Sequence, residues 1–347
     1  TWKILNCLIG KTNNKHEVTS FFNINGTLTN DSEIVSNGFC EFFSNIGPSL
    51  ARKIPNPNVP FTTFLENNYS DTIFFSPTDP DEIYKILISL RPKKSFGIDG
   101  ISNELIKNLA SYIKIPLSIA INKSLQSGIV PDSLKIAKVV PIYKAKDKQS
   151  LTNYRPISLL PNISKVLEKV VHKRIYGFLT SKNILYKSQY GFRDKRSTNQ
   201  AIAEFLSSVL KGFEEKEYTL ALFLDLSKAF DTIDHNILLH KLNHYGIRGK
   251  ALDWLRSYLS DRMQYVDYNS VKSDSRPMIC GVPQGSVLGP LLFIIYMNDL
   301  HYALTHSSGI LFADDTTIHK SDSDITRLFH CMNHDLNQVT QWFRANK

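Results

Sequence analysis

Seven β-prone residues without a break, Tyr218-Thr219-Leu220-Ala221-Leu222-Phe223-Leu224, run directly into Asp225. An unbroken run of this kind predicts a strand covered on both faces. Such a strand needs a layer above it and a layer below it, which places it at the centre of the fold. An acid at the end of that strand is poorly placed for solubility alone. Its ordinary alternatives are a surface turn or a helix N-cap, because Leu226-Ser227-Lys228-Ala229-Phe230 can begin a helical turn. A second segment adds to the constraint. Gly309-Ile310-Leu311-Phe312 and Thr316-Thr317-Ile318 bracket Ala313-Asp314-Asp315, which reads as a tight hairpin with two adjacent carboxylates at its tip. Two unit charges roughly 4 Å apart repel by about 4 kcal/mol at an effective dielectric near 20. A fold accepts that cost most readily when a cation neutralises the pair, although Asp-Asp alone is more often a solvated turn.

Around these segments the pattern is mostly helical. Apolar spacing predicts helices over Glu33–Ala51, from Asp79-Pro80-Asp81-Glu82 to about Leu90, and over Asn103–Ser111 and Ile115–Gln126. Further helices are expected over Asn162–Leu179, Gln200–Phe213, Asn236–His244 and Ala251–Ser260, after Ser286-Val287, and over Asp324–Ala345. Lys138–Lys144 is strand-like, Gln264–Cys280 reads as a hairpin, and Pro55-Asn56-Pro57-Asn58-Val59-Pro60 reads as a linker. The fold class is therefore α+β. Leu291-Leu292-Phe293-Ile294-Ile295-Tyr296-Met297, the longest apolar stretch, is far short of the ~20 residues that span a bilayer, so no membrane partner is expected. Cys7, Cys40, Cys280 and Cys331 show no zinc-ligand spacing, which fits a reducing compartment. The net charge of +9 favours an anionic partner, and nucleic acid is the commonest one for a basic domain.

If the strand ending at Asp225 and the hairpin carrying Asp314 and Asp315 lie side by side, three carboxylates converge on one point. Hard oxygen ligands suit Mg²⁺, which retains waters and shares phosphate oxygens. Two such ions roughly 4 Å apart activate an attacking hydroxyl and stabilise a leaving oxygen, the apparatus of nucleotidyl transfer.

The same residues resemble a known family. Leu224-Asp225-Leu226-Ser227-Lys228-Ala229-Phe230-Asp231 resembles motif A of reverse transcriptases, Gly281-Val282-Pro283-Gln284-Gly285-Ser286-Val287-Leu288-Gly289-Pro290 resembles motif B, and Phe312-Ala313-Asp314-Asp315 resembles motif C. Phe96-Gly97-Ile98-Asp99-Gly100-Ile101, Asn153-Tyr154-Arg155-Pro156-Ile157-Ser158-Leu159 and Gln189-Tyr190-Gly191-Phe192-Arg193 resemble finger segments of the jockey and LINE type of non-LTR retrotransposon. The order and spacing hold across roughly residues 80 to 347. The resemblance implies a right-hand architecture, with palm and fingers built on a central antiparallel sheet flanked by helices. It divides the chain into an N-terminal extension and linker (1–70), fingers (71–217) and palm (218–347).

By that resemblance Asp225 and Asp314 are metal ligands, Asp315 completes the catalytic acids, and the Leu226 carbonyl is a further oxygen donor for two Mg²⁺ ions, with Mn²⁺ as a substitute. Phe230 stacks under the incoming sugar and excludes a 2′-hydroxyl, which disfavours an RNA-copying RNA polymerase. Gln284 touches the nucleotide or the template, with Gly285 beside the nucleic acid. Arg155 and Lys144 supply cations for the dNTP triphosphate, and Arg193, Lys195 and Arg196 grip template phosphates. Partners are then an RNA template, a DNA primer, dNTPs and an element-encoded RNA-binding protein. The setting is a cytoplasmic ribonucleoprotein that later acts in the nucleus. The chain ends within Trp342-Phe343-Arg344-Ala345-Asn346-Lys347, so the thumb and primer grip are expected to lie beyond it, and the isolated piece is expected to be inactive or weakly active. The competing reading is a non-catalytic nucleic-acid-binding remnant or domesticated protein, which the basic charge would serve equally well and which the three intact acids oppose.

Overall fold

The computed structural model describes residues 21–65, 69–92 and 95–347; Cys7 and the first twenty residues of the expected N-terminal extension lie outside them. In chain order the strands are β1 (Phe22–Ile24), β2 (Thr27–Thr29), β3 (Ile136–Tyr143), β4 (Tyr154–Leu159) and β5 (Tyr218–Leu224). They continue with β6 (Met263–Tyr268), β7 (Val271–Lys272), β8 (Arg276–Pro277), β9 (Ser308–Phe312) and β10 (Asp315–Asp322). Two sheets and a small β1–β2 hairpin result, with helices packed around them, so the α+β class holds. Among the described residues no helix is long and apolar enough to cross a membrane.

The first sheet has the order β5-β10-β9, all antiparallel. This corrects one expectation. β5 is an edge strand: Leu220, Leu222 and Leu224 pack against the main core, while Phe223 is 71% exposed and Tyr218 56%. The unbroken apolar run therefore reflects one face turned to the core and a second face covered only in part. The helix Thr198–Glu214 lies over that second face, where Phe205 meets the rings of Phe223 and His319. Its start is fixed by a capping box between Ser197 and Gln200. The helix Leu288–Tyr296 is buried along its length, as an all-apolar helix should be.

The second sheet has the order β4-β3-β6-β7, with β8 also pairing β6. It draws on residues from both sides of position 218, because β3 pairs β6 in parallel from Ile136↔Met263 to Val139↔Val266. β4 was not anticipated, since Pro156 argues against a strand. The sheet tolerates it because β4 lies at an edge, and Pro156 faces Pro141 at a point where β3 has run beyond its pairing with β6. The helix Ser32–Ala51, capped by Asp31, packs on this sheet and places Phe39 beside Tyr154, Val139 and Val266 in a second core.

Other helices fall close to expectation. Pro80–Ser89 is capped by Asp79, and Ile325–Asn346 by Asp324. The break near Ser111 sits instead at Leu109, and the next helix, Ala110–Ser127, carries Pro116 inside it. The bond that Pro116 cannot donate belongs to the carbonyl of Tyr112, whose residue is 80% exposed and reaches water.

Candidate active site

The hairpin between β9 and β10 closes on the pair Phe312↔Asp315, so Ala313 and Asp314 form a two-residue loop. Ala313 sits at φ +58°, a left-handed conformation that costs a non-glycine residue roughly 1–2 kcal/mol. The segment from Ser188 to Gly191 holds it there. Leu311 N–H donates to the Ser188 carbonyl at 2.9 Å, and Tyr190 N–H to the Leu311 carbonyl at 2.7 Å. Buried Gln189 accepts from Ala313 N–H at 3.1 Å and from Gly191 N–H at 2.8 Å through the same side-chain oxygen. A Cβ on Gly191 would stand 2.2 Å from the Ala313 nitrogen, so no other residue fits against the loop without displacing it.

On the other side of β10 the register pairs Leu224 with Thr316. The next residue, Asp225, therefore leaves the sheet beside Asp315. The slight burial of the Asp315 carboxyl, with the negative charges of Asp314 and Asp225 added, pushes it above the usual carboxylate range. Asp225 and Asp315 are exposed and Asp314 is half-buried. Among the described residues none of the three makes an ion pair or a side-chain hydrogen bond. They line an open cleft of about 730 Å³ together with Leu226.

The same cleft is lined by cations. Lys144 and Arg155 stand at the loop end of the β3–β4 pair, where Lys144 N–H donates to the Asn153 carbonyl at 2.9 Å. Lys228 lines it as well. Its Nζ donates to the carbonyls of Thr152 at 3.2 Å and Tyr154 at 3.0 Å. Burial lowers its pKa, Asp231 raises it, and Lys144 and Arg155 lower it further.

Phe230 and Gln284 complete the lining. Phe230 stacks on Phe293 with ring centroids 4.8 Å apart and meets the edge of Phe192 at 5.9 Å. The loop before the helix Leu288–Tyr296 is fastened on both sides. Val282 N–H donates to the Phe230 carbonyl at 2.8 Å, and Ser158 N–H to the Gln284 carbonyl at 2.7 Å. Gly285, at φ +120°, lies so close to β4 that a Cβ would stand 2.7 Å from the Ser158 oxygen. Beneath the loop, fully buried Glu168 accepts from Val287 N–H at 2.6 Å and Leu288 N–H at 3.0 Å, the N-terminus of that helix.

The structure thus gathers Asp225, Leu226, Phe230, Asp314, Asp315, Gln284, Arg155 and Lys144 around one cleft. It leaves Arg193, Lys195, Arg196 and Gly285 outside its lining. Arg193 donates to the Tyr186 carbonyl at 2.8 Å, Arg196 lies over the Tyr190 ring at 5.0 Å, and Lys195 is exposed. Sequence reasoning assigned no role to Lys228, Asp231 or Gln189. The first two lie inside Ser227-Lys228-Ala229-Phe230-Asp231, where a cation and a second acid so close to Asp225 were the available signal. Gln189 left no such signal, because its role is set by a contact 124 positions away.

The three carboxylates offer free oxygens, as a hard divalent cation requires. A second group with ligand atoms near one another, His306, His334 and Asp335, offers fewer. It lies beyond the other end of β9, and the Asp335 oxygens are taken up by Thr305, His306, Ser307 and His334.

Comparison with known proteins agrees with this geometry. A family model described as reverse transcriptase (RNA-dependent DNA polymerase) matches residues 144–347. The chain is 35% identical over 243 residues to the probable RNA-directed DNA polymerase from transposon BS of Drosophila melanogaster, covering 68% of this chain and 26% of that protein. It is 29% identical over 330 residues to the RNA-directed DNA polymerase from the mobile element jockey of the same organism, covering 91% and 35%. A third relative, the probable RNA-directed DNA polymerase from transposon X-element of Drosophila melanogaster, is 32% identical over 226 residues, covering 65% and 25%. The chain therefore spans about a quarter to a third of the length of these curated relatives. It belongs to the reverse transcriptase (RNA-dependent DNA polymerase) family, among the enzymes of non-LTR retrotransposons.

Proposed function

We propose that this chain carries the polymerising centre of an RNA-directed DNA polymerase, which extends a DNA primer along an RNA template by transfer from dNTPs. The observation that carries this reading is the set of three carboxylates without side-chain partners at the ends of two paired strands, lining one open cleft with Lys144, Arg155 and Lys228. Asp225, Asp314 and the Leu226 carbonyl would hold Mg²⁺, or Mn²⁺ in its place, with Asp315 completing the acidic cluster. Two ions bound there would activate the primer 3′-hydroxyl and neutralise charge on the leaving pyrophosphate.

The chain's own side chains do the positioning. Arg155, Lys144 and Lys228 face the triphosphate as a charged fork and two point charges. Phe230, held between Phe293 and Phe192, fills the space a 2′-hydroxyl would need. Arg193, Lys195 and Arg196 lie on the loop that supports the hairpin and are assigned to template phosphates. In right-hand terms the sheet β5-β10-β9 with its helices is the palm, and the sheet around β3 and β4 belongs to the fingers. The same reading places the protein with its RNA, and with an element-encoded RNA-binding protein, first in the cytoplasm and then in the nucleus.

Primer extension on an RNA template by a full-length polymerase containing this chain tests the reading. Incorporation should require a divalent cation and disappear in Asp225→Asn. Activity that survives Asp225→Asn would refute the ligand assignment, and an inert wild type would favour a nucleic-acid-binding remnant.

A further inference from the structure

Gln284 lines the cleft with its amide already engaged on one side. Its Nε2 lies 2.8 Å from Oδ1 and 3.0 Å from Oδ2 of Asp231. An ionised carboxylate only accepts, so the group that meets it is the NH₂ and not the amide oxygen. The usual freedom of a glutamine amide to point either way is removed by that chemistry. Among the described residues no group donates to Gln284 Oε1. The backbone on either side is pinned to Phe230 and Ser158, as described above, so the side-chain torsions are the remaining freedom and Asp231 settles them. Burial pushes the Asp231 carboxyl up to about 6, and the Gln284 bond and the Lys228 charge, both of which favour the ionised form, pull against it.

We propose that Asp231 is a positioning residue for nucleotide binding: by holding the NH₂ of Gln284 it turns the carbonyl oxygen toward the cleft, so that Gln284 meets the incoming nucleotide as a hydrogen-bond acceptor. The proposal rests on the reading of the cleft as a nucleotide site. An acceptor at this place requires a donor. The triphosphate carries only acceptors, and the donors a paired base still offers differ from base to base. The 3′-hydroxyl is the donor common to all four deoxynucleotides, so it is the one a site serving every template can use.

The test is steady-state primer extension by a full-length polymerase containing this chain, with a dNTP and the matching 2′,3′-dideoxynucleotide compared as substrates. Asp231→Ala should raise KM for the dNTP about tenfold with kcat little changed, the loss of one oriented hydrogen bond in binding. KM for the dideoxynucleotide, which lacks the donor, should not move. In a Gln284→Ala background Asp231→Ala should add nothing, because a residue that acts through another is silent once that other is gone. Asp231→Asn keeps the volume and an accepting oxygen but lets the amide turn either way. It should raise KM for the dNTP by a smaller factor, roughly threefold, and it carries the test if the alanine variant does not fold. An equal rise in KM for both nucleotides, or additive effects of the two alanine changes, would overturn the proposal. An inactive wild type would instead overturn the polymerase reading beneath it.

Discussion

The acids of the cleft and the acids of the interior obey opposite rules. Asp335, buried at the foot of β9, is surrounded by donors: both its oxygens accept from Ser307, His306 and Thr305. Burial alone would raise its carboxyl, but the bonds from Ser307, His306, His334 and Thr305 outweigh it and hold the group at about 2. Asp299, equally buried, is paired with Lys241 at 2.6 Å, although burial outweighs the lysine and raises its carboxyl. Asp225, Asp314 and Asp315 have no such partners, and Asp315 is pushed the opposite way from Asp335. A fold satisfies the charges it needs for its own structure. Charges left unsatisfied at the end of a rigid sheet are kept for something that is not part of the chain.

That contrast can be broken by exchanging the two behaviours. Asp314→Asn should reduce primer extension at least about 10³-fold, equivalent to about 4 kcal/mol of barrier, while the melting temperature does not fall. Asp335→Ala should act in reverse. It strands the donors of residues 305–307 and should destabilise the fold by about 3 kcal/mol in urea titration, with activity falling only as far as folded protein is lost.

A third expectation concerns a partnered acid nearer the surface. Arg174 first, with Lys173 and Thr78, holds the Glu82 carboxyl at about 2 against the opposing effect of burial, tying the helix Pro80–Ser89 to the helix Asn162–Ser181. A depressed folded-state pKa means that this stabilisation is complete above the unfolded value of 4.5 and is lost as pH falls toward 2. Between roughly pH 5 and pH 3 the wild type should lose about 1–2 kcal/mol more stability than Glu82→Gln, after discounting for solvent screening. The smallest effect belongs to the cleft. Asp315 has a raised pKa, so its charge costs stability at neutral pH and the cost fades as the group protonates. Metal-free Asp315→Asn should therefore gain less than about 1 kcal/mol at pH 7, and the gain should shrink as pH is lowered. A loss of stability in that variant would mean that Asp315 is a structural acid after all.

Much of this was legible in the sequence, because the cleft is built from short, local signals. Asp225 follows a strand, Asp314 sits in a hairpin tip, and Gln284 precedes an apolar helix, so each motif announces its own element. What was not legible depends on contacts between distant segments. The exposure of Phe223 follows from β5 being an edge, which no local pattern states. β4 was hidden because Pro156 reads as a strand breaker until its place at the sheet edge is known. Gln189 and Asp231 look like ordinary polar residues, and they acquire a role only when Ala313 and Gln284 are brought against them.

The parallel pairing of β3 with β6 also sets a timetable. Val139 waits for Val266, 127 residues later in the chain. At ribosomal rates of about 5–20 residues per second, the gap lasts from roughly 6 to 25 s, since the exit tunnel delays both residues alike. During that interval the face of Phe39, Val139 and Tyr154 has no Val266 to close over it. The nascent chain therefore passes through a long stage in which one side of that core lacks its cover, and its yield in a cell should depend on whatever shields that surface until β6 is made.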